Sequence, residues 1–260
     1  MQPLHEDSNG RIPVLLYHRV DTEADRHWRR FCVAPQTFAD QMQWLANQGF
    51  ATIHLGQLLD HYRRGSPMPE RPLVITFDDG YFCNYSRAFQ ILRRHGFVAT
   101  VFLACNLIRH NPGKPAEGRQ SFMSWPEILK MQEAGWEFHS HGLDHRPMTD
   151  LTPDEQKAEI CISRQRLSAR LGHPVEFFCY PFAKFDPAVQ KVVRACGYRG
   201  ACGGPPFDTS GPADDFAIGR TEILWSDSFR QFVFKIQNGL GYYFHAKKQL
   251  GKLKHRLLPV

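Results

Sequence analysis

The chain is 260 residues long and 42% apolar, enough for one large folded domain and unlike a disordered or fibrous protein. Its net charge is +6, but seven of the 32 basic residues and none of the 26 acidic ones follow Asp227, so the preceding part is close to neutral. A basic interaction surface is thereby confined to the tail, and with no run of eighteen apolar residues no bilayer-spanning helix is expected.

Residues 1–11 read as an N-terminal arm, without the basic and then apolar regions of a cleaved secretion signal. The seven cysteines, Cys32, Cys83, Cys105, Cys161, Cys179, Cys196 and Cys202, are scattered and include no CxxC pair. They read as small buried hydrophobes in a reducing compartment. Between residues 12 and 227 one pattern recurs: an amphipathic segment closes on glycine, and a β-branched or aromatic run follows, at Gly49, Gly96, Gly135, Gly172 and Gly197. Glycine just beyond a helix is the usual left-handed cap, so each instance reads as helix end, tight turn and strand. Ser124 with Glu127 and Thr152 with Glu155 fit capping boxes, and Asp186-Pro187 fits a helix start. Strands are predicted at 12–17, 50–54, 73–77, 98–103, 136–141, 175–180, 198–202 and 217–224. Strands alternating with helices give an α/β fold with a parallel sheet, and about eight of them in this length favour a single barrel over an open sheet. The stretch 105–122 reads as a long irregular loop on the barrel rim.

Two stretches carry chemistry. Leu73-Val74-Ile75-Thr76-Phe77 is a buried-strand signal that ends in Asp78-Asp79-Gly80. Adjacent carboxylates at the mouth of a core strand repel each other and lose hydration, so a bound cation is the simplest compensation. In Trp136-Glu137-Phe138-His139-Ser140-His141-Gly142-Leu143-Asp144-His145, three of the chain's thirteen histidines fall within seven residues. His141 and His145 are four apart, and with one carboxylate they make a three-ligand site for a divalent ion with positions open to water and substrate. Tyr17-His18, Asp78-Asp79, His141 and Tyr180-Pro181-Phe182 all stand at the carboxyl ends of predicted strands, where a parallel barrel collects its reactive groups.

Thr76-Phe77-Asp78-Asp79-Gly80 and Ser140-His141-Gly142-Leu143-Asp144-His145 resemble the first two motifs of the polysaccharide deacetylases, the NodB-homology or carbohydrate esterase 4 family, with Gly142 where Ser or Thr is usual. The resemblance runs from about residue 13 to about residue 223 and implies a distorted (β/α)7 barrel over residues 12–227. It implies Asp79, His141 and His145 as metal ligands and Asp78 as general base. Zinc is the first expectation for the ion, with cobalt, nickel, iron and manganese as alternatives. The chain further resembles a permuted subgroup typified by poly-N-acetylglucosamine deacetylases, in which a histidine near the N-terminus is the general acid; His18 matches that position. Phe178-Cys179-Tyr180-Pro181-Phe182-Ala183 resembles the third motif, which assigns an oxyanion-stabilising backbone N–H to Phe182. The arginine usual in that motif is absent, Cys179 or Tyr180 standing in its place. Arg220 on the last predicted strand is the candidate to orient Asp78 instead. His139, two before His141, is a candidate fourth ligand, although packing or support of the ligands is the stronger expectation. Trp225 and Tyr81 are candidates for an acetate pocket.

The activity implied is metal-dependent removal of N-acetyl groups from N-acetylhexosamine residues of a polysaccharide, glycolipid or lipid-linked saccharide. Two alternatives are a non-catalytic metal-containing glycan-binding protein and a C–N hydrolase of a small non-sugar amide. In residues 228–260 basic side chains interleave with aromatic and leucine residues, which suits a helical tail lying on an anionic membrane surface. No base-reading motif points to nucleic acid. A cytoplasmic location, peripheral at the inner face of the membrane, is expected.

Overall fold

The structure is a computed structural model that describes residues 12–22, 28–110, 121–203 and 214–237. Its elements, in chain order, are β1 (Val14–Tyr17), β2 (Arg19–Val20), β3 (Cys32–Val33), α1 (Pro35–Asn47), β4 (Ala51–Thr52), α2 (Leu55–Arg64), β5 (Pro72–Phe77), α3 (Phe89–Arg93), β6 (Thr100–Leu103), α4 (Trp125–Glu133), β7 (Glu137–Ser140), α5 (Pro153–Lys157), α6 (Ser163–Leu171), β8 (Phe177–Cys179), α7 (Pro187–Ala195), β9 (Gly200–Cys202) and β10 (Thr221–Glu222). Each of the eight predicted strands is present, all but β5 shorter than predicted. The strands pair in the order β10-β1-β5-β6-β7-β8-β9, with β4 beside the start of β5. All these pairings are parallel. Ile218 bridges to Cys202 at the end of β9, while Thr221 pairs with Leu15 of β1. The last strand segment thus touches both edges of the sheet and curls it into a distorted seven-stranded barrel.

The local signals hold for physical reasons visible in the chain. Gly49, Gly96, Gly135, Gly172 and Gly197 all have positive φ, as a left-handed turn after a helix requires. Ser124 and Thr152 close capping boxes with Glu127 and Glu155, and the Asp186 side chain accepts from Val189 N–H.

Alternation along β5 divides the core. Leu73, Ile75 and Phe77 face outward to the layer beneath the helices, joined there by Leu92, Met131 and Phe138. Val74 faces the barrel interior with Phe102, Phe177, Cys179, Cys202 and Ile218. Thr76 shares the inward parity of Val74, and the same period carries Asp78 into the mouth.

Three findings depart from the sequence reading. Cys161 and Cys196 are joined in a disulfide, with Cα atoms 5.1 Å apart, and so are not free buried thiols. The pairing tethers the helix that contains α6 to the end of α7 across 35 residues of sequence, a contact that cysteine spacing does not reveal. A short parallel pair, β2 with β3, was not predicted. The basic segment also begins inside the fold: Phe232 and Ile236 join the core, and buried Lys235 donates to Asp227 Oδ2 at 2.6 Å and to the Glu222 carbonyl at 2.8 Å. The N-terminal arm, the central part of the 105–122 loop and the tail beyond residue 237, with Lys247, Lys248, Lys252, Lys254 and Arg256, lie outside the described residues. Among the described residues no helix is long and apolar enough to cross a membrane.

Candidate active site

The carboxyl ends of the strands open into a cavity of about 310 Å³ lined by His18, Asp78, Asp79, Tyr81, His141, His145, Phe182 and Arg220, among others. Strand parity points Asp78 inward but would send Asp79 to the outer layer. Asp79 instead takes φ +71 and Gly80 φ +76, which returns the second carboxylate to the mouth. A Cβ at Gly80 would also stand 2.6 Å from Leu103 Cδ2. The non-glycine residues of positive φ among the described residues are Asp79, His145, Phe182 and Ala183. All four line this cavity. Left-handed backbone costs an ordinary residue of order 1 kcal/mol, so its concentration here marks geometry held against local preference.

Asp79 Oδ1 lies 3.4 Å from His141 Nε2 and 3.0 Å from His145 Nε2. The three donor atoms all lie within 4.8 Å of one another, yet Asp79 Oδ1 is buried without a well-formed hydrogen bond. His141 Nδ1 donates to the Cys179 carbonyl at 2.7 Å; that oxygen can only accept, so in the neutral ring Nε2 carries a lone pair towards the carboxylate. Two acceptor atoms so close require a cation between them, a proton or a metal. One carboxylate and two imidazoles are a donor set that zinc and its neighbours accept, so the residues fit the group. Burial alone would raise the Asp79 carboxyl, but the two histidines and His18 outweigh it and hold it well below its ordinary range. The His141–His145 loop is fixed from below: Glu159 Oε2 accepts from Leu143 N–H at 2.7 Å and from Asp144 N–H at 3.0 Å. Gly142, at φ +85, passes so near this carboxylate that a Cβ would stand 3.0 Å from it. Sequence reasoning missed Glu159. It lies in a π-helical turn, Ala158–Ile162, and no motif signals it.

Arg220 grips Asp78 with both arms, Nη1 to Oδ1 at 2.7 Å and Nη2 to Oδ2 at 2.8 Å. Nη1 also donates to Thr76 Oγ1, and Nη2 lies 3.0 Å from Cys179 Sγ. The guanidinium thus enters from the last strand to stand beside Cys179, where the sequence lacks an arginine. Burial would raise the Asp78 carboxyl, but Arg220 and then His141 outweigh it and keep it below its ordinary value. Cys179 also lies near enough to Asp78 and His141 to complete a second donor group. Its thiol is pushed up by burial, which disfavours the thiolate that a metal binds.

His18 and Phe182 reach the same cavity. His18 is anchored through its carbonyl by Asn84 Nδ2 at 2.9 Å, and its ring rests on Phe31 with centroids 4.8 Å apart. The Phe182 ring lies 4.7 Å from that of His145. Tyr81 is at the site; Trp225 is not among the lining residues and instead stacks on Arg29, 4.2 Å from guanidinium to ring centre. His139 lies apart from the metal-ligating group, packed between Phe102 and Phe177 with its Nε2 3.4 Å from Glu137. The wall formed by Trp28, Arg30 and Phe31 was not anticipated, although the run Trp28-Arg29-Arg30-Phe31 is unusual enough in the sequence to have drawn attention.

Against this geometry the comparisons with known proteins are specific. A family model described as polysaccharide deacetylase matches residues 65–201. The chain belongs to the polysaccharide deacetylase family. Relatives of this family member include the poly-β-1,6-N-acetyl-D-glucosamine N-deacetylase of Staphylococcus aureus (strain COL), 23% identical over 256 residues that cover 91% of this chain and 84% of that protein. The enzyme of the same name from Escherichia coli (strain K12) is 34% identical over 85 residues, 33% of this chain but 12% of that protein. Among solved structures, the Streptococcus pyogenes deacetylase PplD in complex with acetate superposes with a TM-score of 0.76 at 19% identity, covering 86% of this chain and 97% of that one. The distorted barrel is therefore the deacetylase fold, and the chain falls among hydrolases of this family.

Proposed function

We propose that the chain is a metal-dependent hydrolase that removes N-acetyl groups from N-acetylhexosamine residues of a glycan or glycolipid. The observation that carries this reading is the pairing of two carboxylates with different partners: Asp79 faces two imidazoles, while Asp78, its neighbour in sequence, is clamped by Arg220. Adjacent acids placed in distinct environments serve distinct roles.

Asp79, His141 and His145 would hold the ion, zinc being the first choice for this donor set. When bound, it supplies Lewis-acid chemistry and makes water a nucleophile near neutral pH. The chain's own groups do the rest. Asp78, ionised and unable to rotate within the Arg220 fork, accepts the proton of the attacking water. His18, across the cavity, delivers a proton to the departing amine, without which an amide nitrogen is too basic to leave. The backbone N–H of Phe182, on a turn held in left-handed geometry, is the candidate donor to the tetrahedral oxyanion.

The substrate class follows the named relatives, which act on poly-β-1,6-N-acetyl-D-glucosamine. A lipid-linked saccharide is a second form of the same chemistry, to which the basic tail would bring the enzyme at an anionic membrane surface; loss of residues 240–260 should then weaken binding to anionic vesicles. As to compartment, the Cys161–Cys196 disulfide favours an oxidising location over the cytoplasm expected from the sequence. Free-thiol titration of protein from its native host decides between them.

The test of the activity is acetate release from N-acetylglucosamine oligomers by the zinc-loaded protein. Release by the unaltered chain and its loss in Asp78→Asn, with metal content unchanged, is the expected result. No release from any N-acetylated sugar would remove the reading.

A further inference from the structure

One wall of the cavity is cationic and aromatic beyond anything that acetamide hydrolysis needs. Arg30 and Arg19 line the cavity with Trp28 and Phe31. The Arg30 guanidinium lies over the Phe31 ring, 4.7 Å from its centre, and the same ring touches His18, with centroids 4.8 Å apart. A cation is thus two ring contacts from the proposed proton donor. Among the described residues Arg30 has no carboxylate within ion-pair distance. Of the carboxylates that line the same cavity, Asp78 is committed to Arg220, Asp79 faces the histidines, and Glu222 stands beyond ion-pair reach of Arg30. The wall is itself fixed in place: the Arg30 carbonyl accepts from Trp225 N–H at 3.3 Å, and Phe31 N–H donates to the Trp28 carbonyl at 3.1 Å.

We propose that this wall is a subsite for an anionic group, a phosphate ester or a carboxylate, carried by the substrate within about one sugar of the N-acetyl group, and that Arg30 is its specificity-determining residue. A guanidinium presents a planar fork of donors that matches both oxyanions, and it is less strongly hydrated than an ammonium, so it can give up water to a ligand. A neutral homopolymer would leave that fork with no carboxylate partner among the described residues. The inference rests on the deacetylase reading for its position in the cavity but is measured separately from it.

The experiment uses the zinc-loaded full chain and three ligands: N-acetylglucosamine, its 1-phosphate, and a disaccharide of N-acetylglucosamine with glucuronic acid. Binding is read in the Asp78→Asn protein by Trp28 fluorescence, with Trp28→Phe identifying the signal, and kcat/KM for acetate release is read in the unaltered protein. The proposal expects at least one anionic ligand to be preferred over the neutral sugar by about tenfold, the size of a charge-assisted hydrogen-bonded pair, with the preference shrinking as salt rises. The preferred ligand tells phosphate from carboxylate. Arg30→Gln should abolish that preference and Arg30→Lys should keep part of it, because lysine preserves the charge and loses the fork. Arg30-dependent anion binding with no acetate release from any sugar would sustain the subsite and overturn the deacetylase reading. Equal affinity for neutral and anionic ligands, or an anion preference untouched by Arg30→Gln and so arising at the metal, would overturn the subsite.

Discussion

Both ends of the barrel hold a carboxylate between two histidines, and only one end is built as a ligand site. At the mouth, Asp79 Oδ1 stands 3.4 and 3.0 Å from two imidazole nitrogens, and all three donor atoms lie within 4.8 Å of one another. At the other end, Glu137 Oε2 lies 3.4 Å from His139 Nε2 and 3.5 Å from His54 Nδ1. Those distances are nearly the same, yet the trio at this floor is not among the groups whose donor atoms all lie within that reach of one another. A metal at ordinary bond lengths needs its ligands mutually close, not merely each close to one acid. Residue type and pairwise distance are therefore insufficient; convergence makes the difference. At the mouth it is enforced by left-handed backbone at Asp79 and His145, by the Cys179 carbonyl on His141 and by Glu159 beneath the loop.

The sharpest way to break this contrast is to exchange its acids. Asp79→Asn should lose zinc by elemental analysis and lower acetate release by at least about a thousandfold, whereas Glu137→Gln should keep both; metal loss in Glu137→Gln would show the two ends to be coupled. Arg220→Gln comes next. It leaves the Asp78 charge buried and unpaired, a loss of about 3–5 kcal/mol in denaturant unfolding, with activity reduced because the base is no longer oriented. An exchange with no stability cost would mean that the pair is not desolvated as its burial indicates. His18→Ala should lower amide hydrolysis by about a hundredfold or more. The same variant should spare an activated acetyl ester, whose leaving group needs no proton; equal losses on both substrates would deny His18 the role of acid.

What could be read from the sequence, and what could not, follows the same divide between local and convergent features. The strands and helix caps were legible because their causes lie within a few residues: a glycine after a helix, Ser124 with Glu127, a run such as Leu73 to Phe77. Asp78, Asp79, His141 and His145 were legible because strand ends bring chemistry together in any parallel barrel. Arg220 was reached by asking what must replace a missing arginine, a question of charge and not of pattern. Glu159 and the Cys161–Cys196 bond were not legible, since each depends on a partner from another part of the chain that no local signal names, whereas the Trp28–Phe31 wall left a local trace in its run of aromatic and basic residues without showing what it faces. His139 shows the limit from the other side. Strand parity does point it inward with His141, but two residues of strand rise, at roughly 3.3 Å each, separate floor from mouth.

The smallest expected effect concerns the floor alone and tests whether its charges are structural. Burial pushes His54 below its ordinary value of 6.5, with Glu137 opposing and His139 adding to the shift. Glu137 is held below its own ordinary 4.5: burial would raise it, but His139 and then His54 prevail. Both folded-state values are depressed, so in each case the unfolded chain binds the proton first and stability falls as pH falls. His54 contributes stability that is present above about 6.5 and is lost as pH drops through its lower folded value; Glu137 does the same from about 4.5 downward. Thermal unfolding of the chain followed from pH 7.5 to 4 should therefore decline more steeply in the unaltered protein than in His54→Gln, which removes the first of these two titrations. Groups elsewhere in the molecule are common to both proteins and cancel in the difference. Parallel curves for the two proteins would mean that His54 is solvated like a surface histidine, and the floor would then be an ordinary polar edge of the barrel instead of a buried counterpart to the metal-binding trio.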